Sequence, residues 1–182
     1  MRVRTMRRLL LTIAVLALLG AAGPTVKPFS LTSPAFKNGE MIPVQYTCDG
    51  ADKNPVLKIS GVPKKAKSLA LIVDDPDAVP VIGRVADHWV MWNIPAATTS
   101  IAAGSVPRGA VLGKSYDANK YQGPCPPSGQ THRYYFRLYA LNVSKLKLPT
   151  GSTSAKLRAA MRGRILKETK LMGTYMAKEA MM

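Results

Sequence analysis

"GPCPPSGQTHRYYFRLYALN", residues 123–142, decides how this chain is read. Its first half is glycine, proline and one cysteine, the composition of a loop. In its second half His132, Tyr134, Phe136, Leu138 and Ala140 share one phase. Side chains two apart line one face of a strand. The stretch therefore predicts a loop running into a long strand, with a histidine at the join. His132 is one of only two histidines in the 182 residues, so it is either the polar edge of a core strand or a chemical group.

Further strands lie on either side. "SLALIVD" (residues 68–74) and "HWVMWNI" (residues 88–94) are strong candidates, and "FSLTS" (residues 29–33) and "NPVLKIS" (residues 54–60) are shorter ones. Gly61, Pro63 and Pro95 punctuate them. Short apolar runs between Pro/Gly-rich turns point to an all-β or mostly β domain. No repeat or linker interrupts residues 23–182, which are expected to form one domain. Residues 95–131 read as mostly loop, and a connection that long is often functional. Residues 152–180 change character: Leu157, Met161 and Ile165 recur every four residues behind Ser152, Thr153 and Ser154 as caps. That predicts a helix packed on a sheet face, divided into two by Gly163 and Gly173.

At the N-terminus, Arg2, Arg4, Arg7 and Arg8 precede an apolar run from Leu9 to Leu19 and small residues at 20–23. This is the layout of a secretory signal peptide over residues 1–22. The expected location is periplasmic or extracellular; the alternative is an uncleaved membrane anchor. The whole chain carries 26 basic and 10 acidic side chains, and loss of residues 1–22 leaves 22 basic against 10 acidic. A charge of that sign attracts anionic membrane surfaces, nucleic acid or acidic partners. Export disfavours nucleic acid and leaves peripheral contact with an anionic membrane open. Export also permits a disulfide, and the two cysteines, Cys48 and Cys125, allow one intramolecular pairing.

Strand phase also gathers polar groups. Asp75 ends the row Leu69, Leu71, Val73; His88 leads the row Val90, Trp92, Ile94; His132 and Tyr134 lead Phe136, Leu138, Ala140. If the strands are neighbours, Asp75, His88, His132 and Tyr134 converge at the rim of the core. Such a set could bind an anion through histidine and tyrosine donors, with N–H groups of Gly123 and Gly129 added. It could also hold a metal. Catalysis would need a nucleophile, for which Ser115, Cys125 and Ser128 are the nearby residues. None lies in a nucleophile elbow or triad motif, so no catalytic residue is assigned and no cofactor or metal is expected.

The same residues carry a resemblance. "SPAFKNGEMIPVQYTCDG", "DDPDA" followed by "HWVMWNIP", "GPCPPSGQTHRYYFRLYAL" and "MRGRILKETKLMGTY" occur in order, and the chain from about Phe29 to Tyr175 resembles the phosphatidylethanolamine-binding protein family. It is most similar to that family's bacterial and archaeal, kinase-inhibitor-like branch. The resemblance implies a large central antiparallel β-sheet packed with a smaller sheet, with C-terminal helices. It also implies a small pocket for phosphate, phosphoethanolamine or similar anions, lined by Asp75, His88, His132 and Tyr134. Asp77 would lie nearby, and Pro124, Cys125 and Pro126 would form a wall. Members of the family bind lipid head groups, inhibit kinases or inhibit serine proteases. A non-enzymatic binder of a small anion or phospholipid head group is the expectation. The alternative is a protein-partner role, such as protease inhibition, through residues 76–87 or 105–131. Three departures from the family pattern stand out: "DPDAVPVIGRVAD" replaces the usual "DPDAP" and short loop, Asp87 sits where an apolar residue is common, and Arg164 where a histidine is common.

Overall fold

The computed structural model describes residues 27–177; residues 1–22, expected from the sequence to be a signal peptide, lie outside them. The strands are β1 (Ser30–Thr32), β2 (Leu57–Ser60), β3 (Ser68–Asp75), β4 (Ala86–Pro95), β5 (Ser100–Ile101), β6 (Val111–Leu112), β7 (Thr131–Leu141) and β8 (Ile165–Met176). Helices are the single turn α1 (Val79–Ile82) and α2 (Ser154–Met161). One sheet has the order β6-β4-β3-β7-β8 and the other β1-β2-β5, with every strand pair antiparallel. The mostly β, two-sheet architecture is thus the one expected from the sequence.

β3 is central because both its faces are apolar. Leu69, Leu71 and Val73 join Phe136, Leu138 and the small-sheet residues Leu31, Leu57 and Ile59 in the main core. Ala70 and Ile72 face the other way, onto Val90, Trp92, Leu157 and Met161. A strand covered on both sides reads as a continuous apolar run, and all eight residues of β3 are buried. The second cluster is where α2 covers the large sheet.

The C-terminal helix is shorter than the four-residue spacing predicts. Thr153 caps it, its hydroxyl accepting the Lys156 N–H at 3.4 Å, and it ends at Met161. Gly163 then turns the chain at φ 70°, a conformation that suits glycine. Residues 165–176, expected to be helical, are instead β8, paired with β7 along its whole length. Two forces favour the strand. β7 exposes a row of backbone groups that needs a partner, and Leu171, Gly173 and Tyr175 alternate inward. At Gly173 a side chain would meet Ile42 and Phe36, so the position is closed to anything larger. Within residues 95–131, short strands β5 and β6 break what reads as loop.

Cys48 and Cys125 form a disulfide, with Cα atoms 5.4 Å apart. Parallel tethers reinforce it: Cys48 N–H donates to the Pro124 carbonyl at 3.1 Å, Gly123 N–H to Asp52 Oδ1 at 2.6 Å, and the Tyr121 hydroxyl to the Tyr46 carbonyl at 2.8 Å. Residues 121–125 are therefore held to residues 46–52 from several directions. No helix among the described residues is long and apolar enough to cross a membrane.

Candidate functional site

The C-terminal end of β3 sets the site. Asp75 is its last residue and is buried. Its Oδ1 accepts the Ala78 N–H at 3.1 Å, which caps the turn of residues 76–78 and starts the chain toward α1. Its Oδ2 lies 2.7 Å from Nδ1 of His132, the second residue of β7, also buried. A carboxylate accepts, so this Nδ1 carries a proton and Nε2 is directed away from Asp75. Gln130 Oε1 lies 3.3 Å from that Nε2.

His88 arrives differently. In the β3–β4 ladder Val73 pairs with Trp89, but Asp74 pairs with Asp87, so His88 is the extra residue of a bulge. A bulge bends the strand and re-aims one side chain. Simple alternation puts His88 with Val90 and Trp92; those two face α2, whereas His88 shares its face with Trp89 and Met91. A second shift near Asn93, at φ 56°, returns Ile94 to the main core. The convergence read from phase is present, but the bulge produces it.

The His88 ring is held from behind. Nδ1 lies 2.8 Å from the Gln122 carbonyl and 3.2 Å from that of Gly123. Carbonyls only accept, so Nδ1 carries the proton. The ring packs edge-on against Tyr134, centroids 5.1 Å apart, and is flanked by Tyr116 at 6.1 Å. Burial holds its pKa below the ordinary histidine value, against the pull of the Gln122 carbonyl and Asp75. At neutral pH the ring is uncharged, with its lone pair on Nε2.

Asp75, His88 and His132 border a cavity of about 470 Å³. Ala78, Val81 and Ile82 form one wall; the disulfide, Pro126 and Pro127 form the other. The polar set is small and the walls are apolar, the usual make-up of a small-molecule site.

Other sequence-predicted residues fall elsewhere. Tyr134 is fully buried behind His88 rather than on the cavity wall. Its hydroxyl lies beside the Asp75 carboxylate and the Cys125 backbone but reaches neither at hydrogen-bonding distance, and burial, with the Asp75 charge, raises its pKa strongly. Asp77 forms a bidentate pair with Arg133, Oδ1 to Nη2 at 2.6 Å and Oδ2 to Nε at 2.9 Å, and does not border the cavity. Arg133 holds its carboxyl below the usual range. Pro124 contributes its carbonyl to Cys48, while Cys125 and Pro126 line the cavity. Gly123 N–H is spent on Asp52 and is no donor to a ligand. Of the nucleophile candidates, Cys125 is oxidised and the buried Ser115 hydroxyl donates to the Lys120 carbonyl at 2.8 Å. Among the described residues no three or more His, Cys, Asp or Glu gather as a metal site.

Sequence reasoning missed Tyr116, Gln122 and the Val81–Ile82 wall. The insertion-like "AVPVIGRV" after "DPD" was the available signal for that wall. Asp87, one residue before His88, lies on the opposite sheet face and accepts from the Ser154 hydroxyl at 2.6 Å.

Residues 32–176 match the family model described as phosphatidylethanolamine-binding protein. A Methanothermobacter thermautotrophicus protein named UPF0098 is 46% identical over 152 residues, covering 80% of this chain and 97% of its own length. A crystal structure from Chlamydia trachomatis, named as a phosphatidylethanolamine-binding protein homologue, superposes with a TM-score of 0.77 at 40% identity, over 82% of this chain and 98% of that one. An Escherichia coli structure named as a new member of the mammalian PEBP family gives a TM-score of 0.77 at 30% identity, over 82% and 99%. A Mycobacterium tuberculosis protein named as a lipoprotein is 40% identical over 154 residues, 84% of this chain and 74% of its length.

Proposed function

The chain belongs to the phosphatidylethanolamine-binding protein family, and from that premise we propose that its cavity binds a small anionic group, phosphate or a phospholipid head group, without catalysing a reaction. Asp75, His88 and His132 are the contact residues, Cys125 and Pro126 a wall, and Tyr134 a packing support for His88. Asp77, paired with Arg133, and Pro124, tied to Cys48, support the segments that carry the contact residues. The observation that carries this reading is that both histidines line the cavity and are fixed through Nδ1, one on Asp75 and one on backbone carbonyls, so that neither Nε2 is spent on those anchors. Fixing the rings in advance lowers the cost of ordering a site on binding. An exported location fits the disulfide, since such bonds persist in oxidising compartments.

Calorimetric titration with phosphate and phosphoethanolamine tests the proposal. His132→Ala removes the donor nitrogen and should weaken binding by about 10- to 100-fold, the equivalent of roughly 1.5–3 kcal/mol for a charge-assisted contact. Equal affinity of the variant and the parent would refute the site.

A second reading has one specific observation behind it. Val79, Val81 and Val85 are exposed beside the cavity mouth, in a segment that could serve as a loop for a protein partner such as a protease. Val79→Ser with Val85→Ser, neither of which lines the cavity, would abolish inhibition of such a protease while sparing phosphate binding. A protease panel without inhibition would remove this reading.

A further inference from the structure

We propose that the cavity selects ligands that bring their own proton: a phosphomonoester in its hydrogen-phosphate form, in preference to a phosphodiester or another fully ionised tetrahedral anion. The proposal rests on the anion-binding reading above and narrows it to one ligand class.

The two histidines are not equivalent donors. His132 has an acceptor at each ring nitrogen, Asp75 Oδ2 at 2.7 Å from Nδ1 and Gln130 Oε1 at 3.3 Å from Nε2, so its Nε2 is placed as a donor. His88 is backed by two carbonyls, which demand a proton on Nδ1 and leave Nε2 as an acceptor while the ring is neutral. Among the described residues that Nε2 has no hydrogen-bond partner, and it is not one of the buried polar atoms left without one, so it is open to the cavity that His88 lines.

The groups facing His88 do not charge it. From β3 comes Asp75, whose Oδ2 is already committed to His132. From β7 comes the Tyr134 ring, and from the 114–122 segment the Tyr116 ring. Asp87 is turned to the opposite face, toward Ser154 and Arg158. Arg84 stacks on the Tyr116 ring, 5.6 Å from its centroid. Burial of the ring acts in the same direction as this geometry.

The two histidines therefore offer the cavity one donor and one acceptor, while Asp75 is committed to His132 and Asp52, the other carboxylate on the cavity lining, accepts the Gly123 N–H. A fully ionised oxygen placed against the His88 lone pair would meet repulsion and lose its hydration. A P–OH would donate into that lone pair, while a P–O⁻ of the same group accepts from His132. Phosphomonoesters have a second pKa near 6, so the required form makes up about half of the ligand at about pH 6 and only about a tenth of it at about pH 7. Phosphodiesters and sulfate carry no such proton there.

The test compares affinities of the whole protein for methyl phosphate, dimethyl phosphate and sulfate at about pH 6, where about half of the monoester carries its proton, alongside nitrogen-15 spectra of the histidine rings in the free protein. Methyl phosphate should bind at least about tenfold more tightly than either proton-free anion. His88 should show the Nδ1–H tautomer with a free Nε2. Methyl phosphate, dimethyl phosphate and sulfate of similar affinity would overturn the selectivity and leave anion binding standing. An imidazolium at His88 in the free protein would overturn it as well. No binding by any of the three would overturn the anion-binding reading and this one together.

Discussion

Asp74 and Asp75 are adjacent, equally buried and put to opposite uses. Asp74 faces α2 and is saturated with cations: Arg137 Nε reaches both its oxygens at 2.8 and 3.0 Å, and Arg158 Nη2 reaches Oδ2 at 2.6 Å. Arg158 also donates to the Tyr139 hydroxyl at 2.9 Å, so one carboxylate links β3, β7 and α2. Asp75 faces the cavity and has one backbone N–H and one imidazole. The Asp74 network closes on itself. The Asp75 network runs through His132 to a single long contact, Nε2 to Gln130 Oε1 at 3.3 Å, beside the cavity. Charge saturation marks the face that holds the fold, and a sparsely bonded imidazole marks the face that borders the cavity.

The largest effect should come from the tie between these faces and the rest of the chain. The disulfide closes a long loop, and replacing Cys48 and Cys125 with Ala should cost about 2–4 kcal/mol of stability, read as a lowered denaturant midpoint. Phosphate affinity should fall as well, because Cys125 lines the cavity wall. Undiminished stability would mean that the surrounding backbone tethers suffice.

Next, Asp75→Ala should lower phosphate affinity at least about tenfold by freeing the His132 ring, whereas Asp74→Ala should leave affinity unchanged. Asp74→Ala should instead cost stability, on the order of 1 kcal/mol after solvent screening of the partly exposed Arg137 and Arg158. Calorimetry and chemical denaturation on the two variants read the crossover. Equal affinity losses would erase the distinction between the faces.

The smallest effect should appear at Asp87. Burial raises its carboxyl above the ordinary value, so the folded state holds the proton more tightly than the unfolded chain. The resulting cost to stability is present at neutral pH and vanishes below the unfolded value of about 3.9. Asp87→Asn, which can still accept from Ser154, should therefore gain a little stability near neutrality and none in acid. A pH series of unfolding midpoints for the two proteins gives the sign.

Much of this was legible in the residues. The runs at 68–74, 88–94 and 132–142 become β3, β4 and β7, because β-branched and aromatic side chains fill both faces of a central sheet. The family motifs brought Asp75, His88 and His132 together. The bulge was not legible: "DHWVMWNI" is apolar on both faces, so alternation gives no warning that His88 has changed sides. Nor was the end of α2. Leu157, Met161 and Ile165 keep helical spacing past Gly163, and the long unpaired edge of β7 overrides it. The inward alternation of Leu171, Gly173 and Tyr175 was the cue to β8. Asp87, a departure from the family pattern, adjoins His88 in sequence, but its carboxylate accepts from Ser154 on the other sheet face.

The most direct measurement is an NMR titration of the protein with phosphate, following the ring protons of His88 and His132. Because these are the only histidines, one variant assigns both. The predicted result is that both rings shift together and saturate at one common ligand concentration. If neither shifts, or if each responds at a different concentration, the two rings do not form one anion-binding pocket.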